Sequence, residues 1–204
     1  MLIIMSKIEL FVFRHGETDW NRERRLQGHT DIPLNETGRI QAQALAEKLR
    51  HLNPQVILSS DLSRAVETAE IANTHLNIPI HHTEHLRECR MGKPEGMLKE
   101  DVRAHFGDSS WDRWISTKEE DQDYMFEDGE SKREHLMRMK NYIEEFLHTN
   151  THFQRIAVST HGGSLYRLLQ HCEGTPAEQP AMPNCALFKM TYDTQIRRWY
   201  FEIL

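Results

Sequence analysis

Ile8-Glu9-Leu10-Phe11-Val12-Phe13-Arg14-His15-Gly16-Glu17 is the stretch that sets the reading of the whole chain. Its first six residues are rich in β-branched and aromatic types and too few for a buried helix, so they predict a buried strand. The apolar run stops at Arg14 and His15, with a glycine behind them. A cation and an imidazole at a strand end matter, because open α/β sheets bind ligands beyond the carboxyl ends of their strands.

The same punctuation recurs downstream. A helix is predicted from Asn35, with Ile40, Leu45, Leu49 and Leu52 as its apolar face, closing before Pro54. Val56 to Leu58 reads as a second strand. Ser60 reads as the N-cap of a helix whose stripe is Leu62, Ala65, Val66 and Ala69, which puts Arg64 on the first turn. Ile78 to His82 reads as another short strand. Leu136, Met139, Ile143, Phe146 and Leu147 predict a helix from about Ser131 to His148. Ile156 to Thr160 is strand-like and ends at His161, and Gly162 and Gly163 lead into a helix with Leu165, Leu168, Leu169 and Cys172 on one face. The tail predicts an antiparallel hairpin around Asp193 to Gln195. Alternating strands and helices give an α/β fold: a three-layer α/β/α sandwich with a mostly parallel central sheet and an antiparallel C-terminal strand.

The length of 204 residues predicts one domain, 1–204, and 38% hydrophobic with 27% charged residues fits a soluble globular protein. A net charge of −6, with no basic stripe, argues against nucleic acid as the partner. Cys89, Cys172 and Cys185 are odd in number and lack metal or redox spacing, which predicts reduced thiols and a cytoplasmic location. No apolar run approaches the roughly 20 residues of a membrane helix, so no membrane partner is expected, and a homodimer is left open. Met1 to Met5 is too short for a signal peptide, and either methionine can be the start. His81 with His85, and His148 with His152, share a four-residue spacing, yet no third ligand stands nearby, so neither metal nor cofactor is predicted. The acidic run Glu119 to Asp123 reads as a solvated loop. Met91 to Glu130 carries Trp111 and Trp114 with little periodicity, and reads as an irregular insertion with one or two short helices.

Three strand ends therefore converge: Arg14 with His15, Ser59 and Ser60 followed by Arg64, and His161 followed by two glycines. Two cations, two imidazoles and helix N-termini suit a phosphoryl group.

Arg14-His15-Gly16-Glu17 at the end of a first strand resembles the signature of the histidine phosphatase superfamily. Thr18 to Asn21, Leu26-Gln27-Gly28 through Pro33-Leu34, Thr37-Gly38, Ser59 to Ala65 with Thr68-Ala69, Leu86-Arg87-Glu88, Gly129-Glu130-Ser131 and Thr160-His161-Gly162-Gly163 follow in family order, from about Ile8 to Leu169. The resemblance implies His15 as a nucleophile that forms a phosphohistidine. To attack it must be neutral, and the neighbouring Arg14 and Arg64 favour that form. The two arginines would grip phosphoryl oxygens, His161 would add a donor on the opposite side, and Gly162 would let backbone approach the anion. Asn21, Gln27 and Gly28 resemble positions that touch phosphate or substrate, with plain loop structure as the competing reading.

Glu88 resembles the proton donor to the leaving oxygen. Here the chain departs from the family: Cys89-Arg90-Met91-Gly92 replaces the usual aromatic-glycine pair, which leaves Glu84 and Glu95 as substitutes. The expected activity is metal-independent hydrolysis of small-molecule phosphomonoesters, with the 91–130 insertion covering the active site and selecting the leaving group. The alternatives are a phosphoglycerate mutase of the same superfamily and a phospho-ligand binding protein without turnover. The first would carry an Arg-x-Tyr-Gly segment and paired arginines, whereas Arg103 and Arg113 stand apart. The second would have lost a catalytic group, and His15, both arginines and His161 are all present.

Overall fold

In a computed structural model, which describes residues 7–202 except Ala177 and Gln179, the chain runs β1 (Lys7–Arg14), α1 (Asp19–Arg22), α2 (Glu36–Leu52), β2 (Val56–Ser60), α3 (Ser63–Ala72), β3 (Ile80–Thr83), α4 (Val102–Phe106), α5 (Ser110–Ile115), α6 (Lys132–Thr149), β4 (Arg155–Thr160), α7 (Gly162–His171), β5 (Leu187–Asp193) and β6 (Arg198–Glu202). Met1 and Met5, with the question of the start, lie outside the described residues. The strands form one sheet in the order β3-β2-β4-β1-β5-β6. β1, β4, β2 and β3 are parallel neighbours, and β5 and β6 add the antiparallel edge predicted for the tail.

β1 explains its own composition. Leu10 and Val12 enter a cluster with Met139, Ile143, Leu165 and Leu168 of α6 and α7. Phe11 and Phe13 point to the opposite face and pack with Leu45, Leu49 and Ala69 of α2 and α3. Successive strand residues alternate faces, and both faces are covered, so an unbroken apolar run is what this strand needs. That arrangement is the three-layer sandwich. Asn35 caps α2, its side chain accepting from Gly38 N–H at 2.9 Å, and Ser131 opens α6 in a capping box with Glu134.

Two local expectations need correction. Ile40 is 58% exposed, because the buried face of α2 runs through Gly38, Ala42, Leu45, Ala46 and Leu49, and Ile40 lies about 200° around the helix from Ala42. Ser60 does not cap α3. It ends β2, and Asp31 from a distant loop accepts the Ser63 N–H at 2.9 Å instead. The acidic run is solvated as expected, and forms a strap in which the exposed Glu119 and Asp123 pair with Arg133, and Asp121 with Arg113. The insertion holds two short helices as expected, α4 and α5, and its side chains Val102, Trp114 and Phe126 join Leu26, Cys89 and Met91 in a small apolar core. The paired histidines lie against rings: His85 stacks on Tyr142, His81 and His148 meet Phe146 and Tyr192 edge-on, and His152 is tilted over Phe153. Among the described residues no helix is long and apolar enough to cross a membrane, and the three cysteines are free thiols.

Candidate active site

The sheet register brings the strand ends level, with Arg14 opposite Thr160 across the β1–β4 pair and Ser59 opposite Ser159 across β2–β4. His15 follows directly and is 3% exposed. Its Nδ1 lies 2.7 Å from the Gly16 carbonyl oxygen, which can only accept, so Nδ1 carries the hydrogen. The neutral ring then has its lone pair on Nε2. Burial pushes the His15 pKa well below the usual imidazole value, and Arg64 and then Arg14 lower it further. The arginines thus act as expected, but exclusion of water is the larger cause.

Arg64 is fully buried on the first turn of α3. Its Nη1 donates to Thr30 O at 2.9 Å, its Nη2 to Gly28 O at 2.8 Å and its Nε to His161 Nδ1 at 3.2 Å. Burial lowers it to about 10, which leaves it charged at neutral pH. A guanidinium only donates, so His161 Nδ1 accepts and Nε2 carries the ring hydrogen to Ser60 Oγ at 2.9 Å. Both ring nitrogens of His161 are therefore occupied by protein, and the residue is 0% exposed. Its ring centroid lies 5.2 Å from that of His15. In this arrangement His161 meets Arg64 and Ser60, where the sequence reading gives it a donor's place on the phosphoryl group.

Arg14 Nη1 donates to Met182 O at 2.7 Å, while its buried Nε has no protein partner. A Cβ at position 162 would stand 3.2 Å from that Nε, so glycine leaves the guanidinium room at the start of α7. An orphaned buried donor beside a helix N-terminus is a place for an anion.

Glu88 lines the same cavity. Its Oε2 accepts from Gly163 N–H at 2.8 Å and its Oε1 from Cys89 N–H at 2.9 Å. A Cβ on residue 163 would come within 2.6 Å of Oε1, so glycine is needed for this contact. Ser164 Oγ lies 3.3 Å from Oε1 and 2.9 Å from Nε2 of the buried His135. The substitutes are employed elsewhere. Glu95 organises loops, accepting from the amides of His29, Thr30 and Met91, and Glu84 is exposed at the start of a 3-10 turn.

The cavity has a volume of about 410 Å³ and brings together Arg14, His15, Asn21, Gln27, Gly28, Arg64, Glu88 and Gly162. Asn21 Oδ1 caps its own turn at Thr18 and accepts from Asn184, whose amide also donates to His15 O. Gln27 Oε1 is buried without a partner. The outer wall comes from Lys99, Trp111, Trp114, Ile115, Tyr166 and Arg167. Sequence reasoning missed Lys99, His135, Tyr166 and Arg167. Tyr166 and Arg167 were detectable, being three and four residues beyond Gly163 and so on its face of the helix. Lys99 and His135 carried no such signal.

The fold and this cluster define an α/β protein that receives a phosphoryl group at its strand ends, around a neutral histidine flanked by two arginines. The model of the histidine phosphatase superfamily (branch 1) matches residues 10–200, and the chain belongs to that family. Among relatives, the Bacillus subtilis phosphatase PhoE is 43% identical over 96 residues, 47% of this chain and 50% of that one, so the match spans half of PhoE. Salmonella arizonae GpmB, which carries a phosphoglycerate mutase name, is 32% identical over 188 residues, 91% of this chain and 85% of that one. Among solved structures, the mycobacterial glucosyl-3-phosphoglycerate phosphatase in complex with VO3 superposes with a TM-score of 0.83 at 26% identity, over 97% of this chain and 98% of that one. Bacillus stearothermophilus YhfR gives 0.81 at 29% identity, over 96% and 95%.

Proposed function

We propose that this chain is a phosphatase that hydrolyses small-molecule phosphomonoesters through a phosphohistidine on His15, with no metal required. One observation carries the proposal: a neutral His15 with its lone pair on Nε2 shares a cavity with Arg64 and with an Arg14 whose Nε has no protein partner. His15 Nε2 attacks phosphorus in line, the ester P–O bond breaks, and Glu88 gives a proton to the departing oxygen. Water then attacks the phosphohistidine, Glu88 takes a proton from it, and the N–P bond breaks to release phosphate. Arg14 and Arg64 balance the charge that gathers on the equatorial oxygens, and the Gly162 amide faces the same anion. His161 acts through Arg64. Asn21, Gln27 and Gly28 shape the rim, and the 91–130 segment meets the leaving group. Three free cysteines support a reducing, cytoplasmic setting.

The test is hydrolysis of p-nitrophenyl phosphate in chelator, with an alkaline detergent quench to trap a phosphoenzyme that is stable in base and lost in acid. His15→Ala is expected to lose the trapped species and about a thousandfold or more in turnover. Unchanged turnover overturns the proposal. Because GpmB bears a mutase name, the paired assay is interconversion of 2- and 3-phosphoglycerate with bisphosphate primer, where none is expected.

A further inference from the structure

A second cavity, of about 450 Å³, shares one residue with the catalytic pocket: Arg167. Its other walls come from the start of α6, the end of α7 and the loop after it, including Lys132, Arg133, Gln170 and Thr175. Arg133 is matched there by Glu119, the one carboxylate among the residues on this wall. Lys132 and Arg167 are different. They are 1% and 7% exposed, and among the described residues neither has a carboxylate within ion-pair distance. Lys132 Nζ donates to Arg113 O at 2.7 Å and Ser116 O at 2.8 Å. Arg167 Nη2 donates to Trp114 O at 3.1 Å, and its Nη1 to Gln170 Oε1 at 3.1 Å.

Both cations thus cap the last carbonyls of α5, the helix that places Trp111, Trp114 and Ile115 on the catalytic pocket. Carbonyl dipoles replace part of the lost hydration, Asp121 and Glu88 act on Lys132 and Arg167 only from beyond ion-pair distance, and a buried charge without a close counterion is costly. Burial accordingly lowers Lys132 to about 8.

We propose that this cavity is a second anion site, for inorganic phosphate or the phosphoryl group of a metabolite, held by Lys132 and Arg167 and coupled to the catalytic pocket through α5. An anion that draws the two cations toward itself weakens their hold on the Arg113, Trp114 and Ser116 carbonyls. The leaving-group wall then shifts while the phosphoryl end stays fixed.

Radiolabelled inorganic phosphate, counted by equilibrium dialysis against the full chain, tests the site whether or not the catalytic pocket turns over. Gln170→Glu puts a carboxylate where an amide oxygen already accepts from Arg167, and is expected to bind one phosphate fewer per chain than the wild type. Gln170→Met, which adds no charge, is expected to keep the wild-type number, and Lys132→Met to lose the same one as Gln170→Glu. Equal numbers in wild type and Gln170→Glu overturn the site, as does a loss in Gln170→Met. For the coupling, phosphate is expected to inhibit p-nitrophenyl phosphate hydrolysis with a mixed pattern in the wild type and a purely competitive one in Gln170→Glu. Competitive inhibition in both discards the link through α5.

Discussion

The two ends of the catalytic pocket are held by different physics. At the strand ends, Arg64 is buried and spends its donors on Gly28 O, Thr30 O and His161, and His15 is fixed by the Gly16 carbonyl. At the outer wall, α4 and α5 are joined by Arg103 with Asp112 at 2.5 Å, and the strap behind them by Arg133 with Glu119 and Asp123. Those side chains are about half exposed or more. Pairs of that kind contribute about 0 to 1 kcal/mol each. One end is rigid because buried donors and backbone carbonyls set its geometry, and the other is more adjustable where solvent competes for the ion pairs on its outer surface. In the function proposed above, chemistry falls to the first and choice of leaving group to the second.

Substitutions can break or sharpen that contrast. The largest effect after His15 is expected at Arg64. Arg64→Lys keeps the charge but not the planar fork, so turnover of p-nitrophenyl phosphate should fall by about a hundredfold to a thousandfold. Near-normal turnover would mean that charge alone suffices at the rigid end. Next comes Glu88→Gln, which is expected to slow an alkyl phosphate by about a hundredfold or more while barely touching the nitrophenyl ester, whose leaving group needs little proton. Equal losses on both esters would take the acid role from Glu88. The smallest effect belongs to the outer wall. Arg133→Ala should leave the urea midpoint nearly unmoved and the nitrophenyl ester's kcat unchanged, with any change confined to KM. A fall in kcat comparable to that of Arg64→Lys would erase the distinction between the two ends.

The rigid end was also the legible one. Strand residues buried on both faces are apolar on both, so Leu10 to Phe13 and Ile156 to Val158 stand out, and Asn35 and Ser131 mark helix starts through their own hydrogen bonds. Ser60 misled because its hydroxyl suits an N-cap, whereas the long-range contact it makes, to His161, has no local trace. The contacts of His161 are hidden for the same reason: its partners, Arg64 and Ser60, lie about a hundred residues away along the chain. The insertion was opaque because its core joins Leu26 and Cys89 to Trp114 and Phe126 across loops, with no helical or strand period to reveal it. His135 resembled any other polar residue of a half-buried helix until α7 brought Ser164 against it.

Three imidazoles, those of His15, His135 and His161, are buried and held neutral, chiefly by loss of water. On unfolding each regains an ordinary affinity for protons, with a midpoint near pH ~6.5. The unfolded chain therefore binds more protons than the native one as pH falls below that value, and the sign is unambiguous: acid drives the equilibrium toward the open chain. The slope from three such groups approaches about 4 kcal/mol per pH unit, so urea midpoints measured at pH 7 and pH 5 should differ sharply. The dryness that keeps a nucleophile ready at neutral pH makes the same molecule a poor survivor of acid.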